Sequence, residues 1–222
     1  MKKVIVISDS FKGTLSSREI CEIARQSVPK LFPDCAVVAI PVADGGEGTV
    51  SCFIEAIGAE PVFVEVSGPY GERVRAIYAR KGTSAIVEMA SAAGGMGAGC
   101  MAFLNAQMRS GIEAVLDMVD FDAQLDGVDL VVTGEGRIDS QSVHGKVISG
   151  IAKRTQPRGV PLVAIVGSIA PDAAEAYDLG VTAMFGIDRT AKAFTEYAAE
   201  SAAYYQATLE DVLRLIRAFE KK

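Results

Sequence analysis

The chain has 222 residues, half of them hydrophobic and 23% charged, with a net charge of −6. This composition fits one large or two small globular domains, and with no basic patch or run of like charge it argues against a nucleic-acid partner. A single histidine excludes a His-rich metal site, and four cysteines without a CxxC pair (Cys21, Cys35, Cys52, Cys100) read as reduced, buried thiols of a cytoplasmic protein.

Lys3–Ser8 is a short apolar run bounded by Asp9-Ser10 and predicts a buried strand. At four apolar residues, Val4 to Ile7, it is too short for a signal peptide or a membrane span. Ser16 and Glu19 then form a capping box. Behind it Ile20, Ile23, Ala24, Val28 and Leu31 recur at helical spacing, and Pro33-Asp34 ends that helix. Val37–Val42 predicts a second strand, and Val50, Phe53, Ile54 and Ile57 a second helix ending at Gly58. The opening is thus strand–helix–strand–helix, the start of a parallel α/β sheet.

The period then drops to two. Val62, Val64 and Val66 alternate, "GPYG" turns, Val74, Ala76 and Tyr78 alternate, "KGT" turns, and Ala85, Val87 and Met89 alternate. This predicts an antiparallel meander attached to the parallel sheet. Residues 91–99, "SAAGGMGAG", read as a flexible connection, since they fit neither GxGxxG nor GxxxxGK[ST]. Helix–strand alternation resumes with a helix at Ile112, Val115, Leu116 and Val119, a strand at Leu130–Thr133, a helix through Val147–Ala152 and a strand at Leu162–Val166. A short helix ending at Gly180, a strand at Thr182–Phe185 and a long C-terminal helix follow, the last with Leu209, Val212, Leu213, Ile216 and Phe219 on one face. The fold class is α/β: a three-layer α/β/α Rossmann-like domain, its sheet mostly parallel with an antiparallel meander extension.

Ligands of such sheets gather beyond the carboxyl ends of the strands. Three polar loops hold that position: "SDSFKGT", "ADGGEGT" and "TGEGRIDSQSVHGK". If their strands are neighbours, the loops bring together Asp9, Lys12, Asp44, Glu47, Glu135, Arg137, Asp139, His144 and Lys146. Acids mixed with Lys and Arg around glycine-exposed N–H groups suit a phosphate, a carboxylate and a hydrated Mg²⁺, the mixture that phosphoryl transfer needs. Each loop alone has a plainer reading: a turn with solvated acids, a surface lysine at Lys12, and His144 capping or packing at a helix start.

The stretches "DSFKGTLS", "PVADGGEGTV", "VSGPYGERV", "AIVEMASAAG", "AAGGMGAGCMAFL" and "DLVVTGEGRIDSQSVHGK" resemble the bacterial glycerate kinases that act on D-glycerate, nearly end to end and in order. The resemblance implies ATP and Mg²⁺ as co-substrate and cofactor, and phosphorylation of glycerate, usually to 2-phosphoglycerate, in a cleft between two α/β domains. The resemblance places the loops at 9–13, 44–49 and 133–139 along that cleft, and the chemistry of their side chains then suggests Lys12 and Arg137 for the anionic groups and Asp44 or Asp139 for the attacking hydroxyl. Glu47 and Glu135 fall to Mg²⁺. Substrate contacts fall to Asp9, Ser10, Gly45, Gly46, Gly48, Thr49, Gly134, Gly136, His144 and Lys146.

One departure is large. The family carries a second domain, with a Gly-Gly-Ser-Ala-Thr-Asn-Asp pattern, between segments that are fused here at "SAAGGMGAG". The expectation is therefore a single α/β domain over 1–222, formed from 1–93 and 95–222. It is either a kinase or a non-catalytic substrate-side half that at most binds small anions. A third reading is a homodimer in which each copy replaces the other's missing wall.

Overall fold

Strands buried on both faces need no polar alternation, and the apolar runs of this chain obey that rule. The structure, a computed structural model, describes residues 1–42, 49–67, 72–87, 110–143, 146–190, 196 and 198–220. In chain order the elements are β1 (Lys3–Ser8), α1 (Ser17–Leu31), β2 (Ala36–Pro41), α2 (Thr49–Ile57), β3 (Glu60–Ser67), β4 (Arg73–Lys81) and β5 (Ser84–Ile86). Then come α3 (Gly111–Met118), α4 (Phe121–Gln124), β6 (Leu130–Thr133), β7 (Arg137–Ile138), α5 (Val147–Thr155), β8 (Leu162–Val166), β9 (Ser168–Ile169), α6 (Glu175–Asp178), β10 (Val181–Gly186) and α7 (Ser201–Glu220).

A five-stranded sheet runs in the order β10-β8-β6-β1-β2. Every pairing in it is parallel. Because side chains alternate across a strand, β1 splits its apolar residues between two cores. Ile5 and Ile7 face a cluster with α2, α3 and α5. Val4 and Val6 face another with α1 and α7. Each such fully buried side chain stabilises the fold by about 1.5–3 kcal/mol. The predicted three-layer α/β/α arrangement is the result.

The capping box forms as read. The Ser16 hydroxyl accepts the Glu19 N–H at 3.2 Å, and the Glu19 carboxylate accepts the Ser16 N–H at 2.8 Å. Helix α1 buries Ile20, Ala24 and Val28 against the sheet. The meander pairs as predicted, with Val62 opposite Tyr78, Val64 opposite Ala76 and Val66 opposite Val74. It makes its own three-stranded sheet, β3-β4-β5, instead of hydrogen-bonding to the parallel one. It joins the body through packing, by the buried Ala79 and the partly buried Ile86. Its last strand ends at Ile86, and Val87 is exposed beyond it. The "GPYG" turn, Met89 and the "SAAGGMGAG" stretch lie outside the described residues.

On α7, Leu209, Val212 and Leu213 are buried as read, whereas Phe219 is 68% exposed. Twenty helical residues reach about 30 Å, and strands of four to six residues reach only about 13–20 Å. The helix outruns the sheet, and its last apolar residue has nothing to cover. Cys21, Cys35 and Cys52 are buried, and burial pushes the Cys21 thiol up to about 12; Cys100 lies outside the described residues. No helix among the described residues is long and apolar enough to cross a membrane.

Candidate functional site

All five parallel strands end on one side, and the loops leaving β1, β6 and β8 enclose a cavity of about 350 Å³ there, with Ile187 beyond β10 and Ser201 of α7 also at its wall. The first loop is anchored from below. Phe11, 3% exposed, packs edge-on against Tyr205 of α7 with ring centroids 5.8 Å apart. The Phe11 N–H donates to the Leu15 carbonyl at 2.7 Å, and the Leu15 N–H donates back at 3.1 Å. Gly13 closes this turn at φ +80°, a conformation that favours glycine. The result presents Asp9, Ser10 and Lys12 to the cavity. The Asp9 carboxylate accepts the Ser10 N–H at 2.7 Å, and the Asp9 N–H donates to the Gly134 carbonyl at 2.9 Å.

The loop after β6 contributes Glu135, Gly136, Arg137 and Asp139. Its glycines differ in why they are glycine. A Cβ on Gly134 would stand 1.9 Å from the Ile165 carbonyl oxygen, so β6 and β8 approach each other only without one. A Cβ on Gly136 would meet nothing closer than 3.6 Å, an ordinary contact. Asp139 starts a single 3-10 turn, Ser140–Val143. Its carboxylate accepts the Gln141 N–H at 3.0 Å. Lys146, just ahead of α5, places its ammonium 3.9 Å from both the Glu135 and the Asp139 carboxylates. Glu135 is only 6% exposed. Beside Arg137, the Asp172 carboxyl is held below the usual carboxylate range, chiefly by a hydrogen bond from Ser140, with the Arg137 charge a smaller contribution.

Two of the three predicted loops therefore meet. Asp44, Gly45, Gly46, Glu47 and Gly48 of the second, with His144, lie outside the described residues. Thr49 is the first residue of α2. Sequence reasoning missed the loop after β8, where Gly167 and Ser168 line the cavity. The Gly167 N–H donates to the Glu135 carbonyl at 3.1 Å, and the Ser168 N–H donates to the Gly136 carbonyl at 3.1 Å. These bonds join β7 and β9 as a two-stranded parallel ribbon. The "VGS" that ends the apolar Leu162–Val166 run was its signal, by the same strand-end rule that selected the other loops.

The cavity balances Lys12, Arg137 and Lys146 against Asp9, Glu135 and Asp139. The cations suit carboxylate and phosphate, and a carboxylate beside them can orient a hydroxyl. A sequence profile described as the glycerate kinase family matches residues 4–94 and 90–217. The chain belongs to the glycerate kinase family.

Among its relatives, the glycerate kinase of Bacillus subtilis (strain 168) is 41% identical over 130 residues, which is 59% of this chain and 34% of that protein. The glycerate 2-kinase of Escherichia coli (strain K12) is 45% identical over 98 residues, 44% of this chain and 26% of that one. The chain thus spans about a quarter to a third of the length of these family members. In fold it is similar to the crystal structure of a protein described as glycerate kinase 2 from Salmonella typhimurium LT2, with a TM-score of 0.77, 21% identity and coverage of 100% of both chains.

Proposed function

We propose that the cavity binds glycerate and the phosphoryl end of ATP and transfers that group to a glycerate hydroxyl. The observation that carries this reading is the ring of three cations and three carboxylates around one cavity in a member of this family. Lys12 and Arg137 hold the substrate carboxylate and the transferring phosphoryl group. Asp139, or Asp44 of the DGGEG stretch, orients or deprotonates the attacking hydroxyl. Ser10, Gly136 and Lys146 complete the substrate contacts.

Mg²⁺ belongs to the same proposal. Among the described residues no three His, Cys, Asp or Glu side chains gather as a metal cage. Mg²⁺ needs no such cage, because it takes one or two carboxylates together with phosphate oxygens and water. Glu135 and Glu47 would hold such an ion, and it would supply positive charge to neutralise the phosphates.

A second reading is favoured by the two-part match to the family, at 4–94 and 90–217, and by the fraction of its relatives that the chain spans. In it the chain is one α/β domain built from 1–93 and 95–222, which binds glycerate without turning it over. An assay for ATP- and Mg²⁺-dependent glycerate phosphorylation, with the product identified by NMR, separates the two. Turnover that drops at least 100-fold in Lys12→Ala supports the kinase reading. Glycerate binding by calorimetry with no product supports the second, and neither turnover nor binding refutes both.

A further inference from the structure

We infer that Ser17 is a positioning residue that fixes the carboxyl ends of β1 and β2 and the loop leaving β6 relative to one another. The inference deepens the proposed kinase reading and rests on it. Ser17 is the first residue of α1, is 6% exposed and does not line the cavity. Its hydroxyl donates to the Ser8 carbonyl oxygen at 2.6 Å, and its oxygen accepts the Val42 N–H at 2.9 Å. It thereby ties together the carboxyl ends of β1 and β2.

The link does not stop there. The Ser8 carbonyl and the Asp9 N–H belong to one peptide unit, and that N–H donates to the Gly134 carbonyl at 2.9 Å. A single relay runs from the Val42 N–H through the Ser17 hydroxyl and the Ser8–Asp9 peptide to Gly134, each donor polarising the next. Its stations lie at the ends of three strands: Asp9 directly follows β1, Val42 follows β2, and Gly134 follows β6. Only a hydroxyl donates and accepts through one atom at such short range. Alanine would leave a buried carbonyl and a buried N–H facing each other across a gap.

The test is hydrogen–deuterium exchange on the full chain, comparing the wild type with S17A, S17T and S17C. In S17A the Val42 and Asp9 amides exchange at least tenfold faster, while the amides of β8 keep their rates. S17T restores protection and S17C, a weaker donor, falls between. At a temperature where circular dichroism shows each variant folded, S17A loses at least tenfold in kcat/KM with glycerate and ATP, and S17T recovers most of it. Wild-type exchange rates at Val42 and Asp9 in S17A, or a uniform rise across the whole sheet, would overturn the inference. A wild-type chain without glycerate turnover would sink the kinase reading alone, because the exchange comparison needs no substrate.

Discussion

The Lys146 ammonium stands 3.9 Å from the Glu135 carboxylate and equally far from Asp139, so one cation on the approach to α5 holds together two acids that begin and end a loop. Lys146→Met removes that cation from beside a carboxylate that is 6% exposed. At this distance and partial exposure the loss of stability is about 1 kcal/mol. Glycerate turnover should fall at least tenfold, well beyond what the stability change explains, with Lys146→Arg keeping a larger share. Equal turnover in the Met variant would remove Lys146 from the site.

The glycines of the cavity should separate sharply under substitution. A Cβ on Gly167 would lie 2.2 Å from the Gly136 carbonyl oxygen, a backbone atom that cannot step aside without shifting the β7–β9 ribbon. Gly167→Ala is expected to lose roughly 1–3 kcal/mol in urea denaturation. Gly136→Ala, with 3.6 Å of room, should change stability by only a few tenths of that. Equal midpoints for the two variants would contradict the packing account.

Tyr205 offers the opposite sign. Its ring is fully buried, and its hydroxyl has no hydrogen-bond partner among the described residues. Burial therefore pushes its proton affinity up, with the nearby Cys21 adding to the effect. Tyr205→Phe keeps the edge contact with Phe11 and removes an uncompensated polar atom. It should be neutral or stabilising by up to about 1 kcal/mol. A clear loss of thermal stability would show that a buried water serves that hydroxyl.

Stability at acid pH should report the capping box at the start of α1. The Glu19 carboxyl is held below its ordinary 4.5, first by the Ser16 hydroxyl and then by the Ser16 backbone N–H. A depressed folded value means that this contribution is present above pH 4.5 and is lost as the pH falls through the lower folded value. Glu19→Ala should therefore cost about 0.5–1 kcal/mol near neutrality, and the difference from wild type should vanish on acidification. A difference that persists undiminished at low pH would show that the loss does not come from the ionised carboxylate, since alanine has the higher helix propensity.

The parts legible in the sequence were those that one local rule decides. β1, β6 and β8 announced themselves as unbroken apolar runs because helices cover both their faces, and Ser16 with Glu19 marked a helix start three residues apart. The alternation at Val62–Val66 and Val74–Tyr78 marked the antiparallel hairpin, whose register the structure supplied. What stayed hidden depends on distance in space. The ribbon of Arg137–Ile138 with Ser168–Ile169 has two residues per strand, too few for any period to show. Gly134 and Gly136 look alike as letters, and only the nearness of the Ile165 carbonyl tells them apart. Phe219 continued a good helical stripe past the edge of the surface it would have covered. Within the site, the sequence supplied the charged groups of the first and third loops but not the loop at Gly167-Ser168, whose apolar strand drew the eye from the two small residues behind it.

The place of β1 in the sheet has a consequence for how the chain comes off the ribosome. It is made well before β6, yet it lies between β2 and β6 and pairs Val4 with Leu130. Until β6 is made, the apolar stretch Val4–Val6 of β1 lacks the strand that it pairs with there, and an unpaired strand edge is the kind of surface that recruits other strands. Until β6 emerges, that edge needs a chaperone or fast translation, and a fragment cut short of Leu130 should aggregate instead of folding.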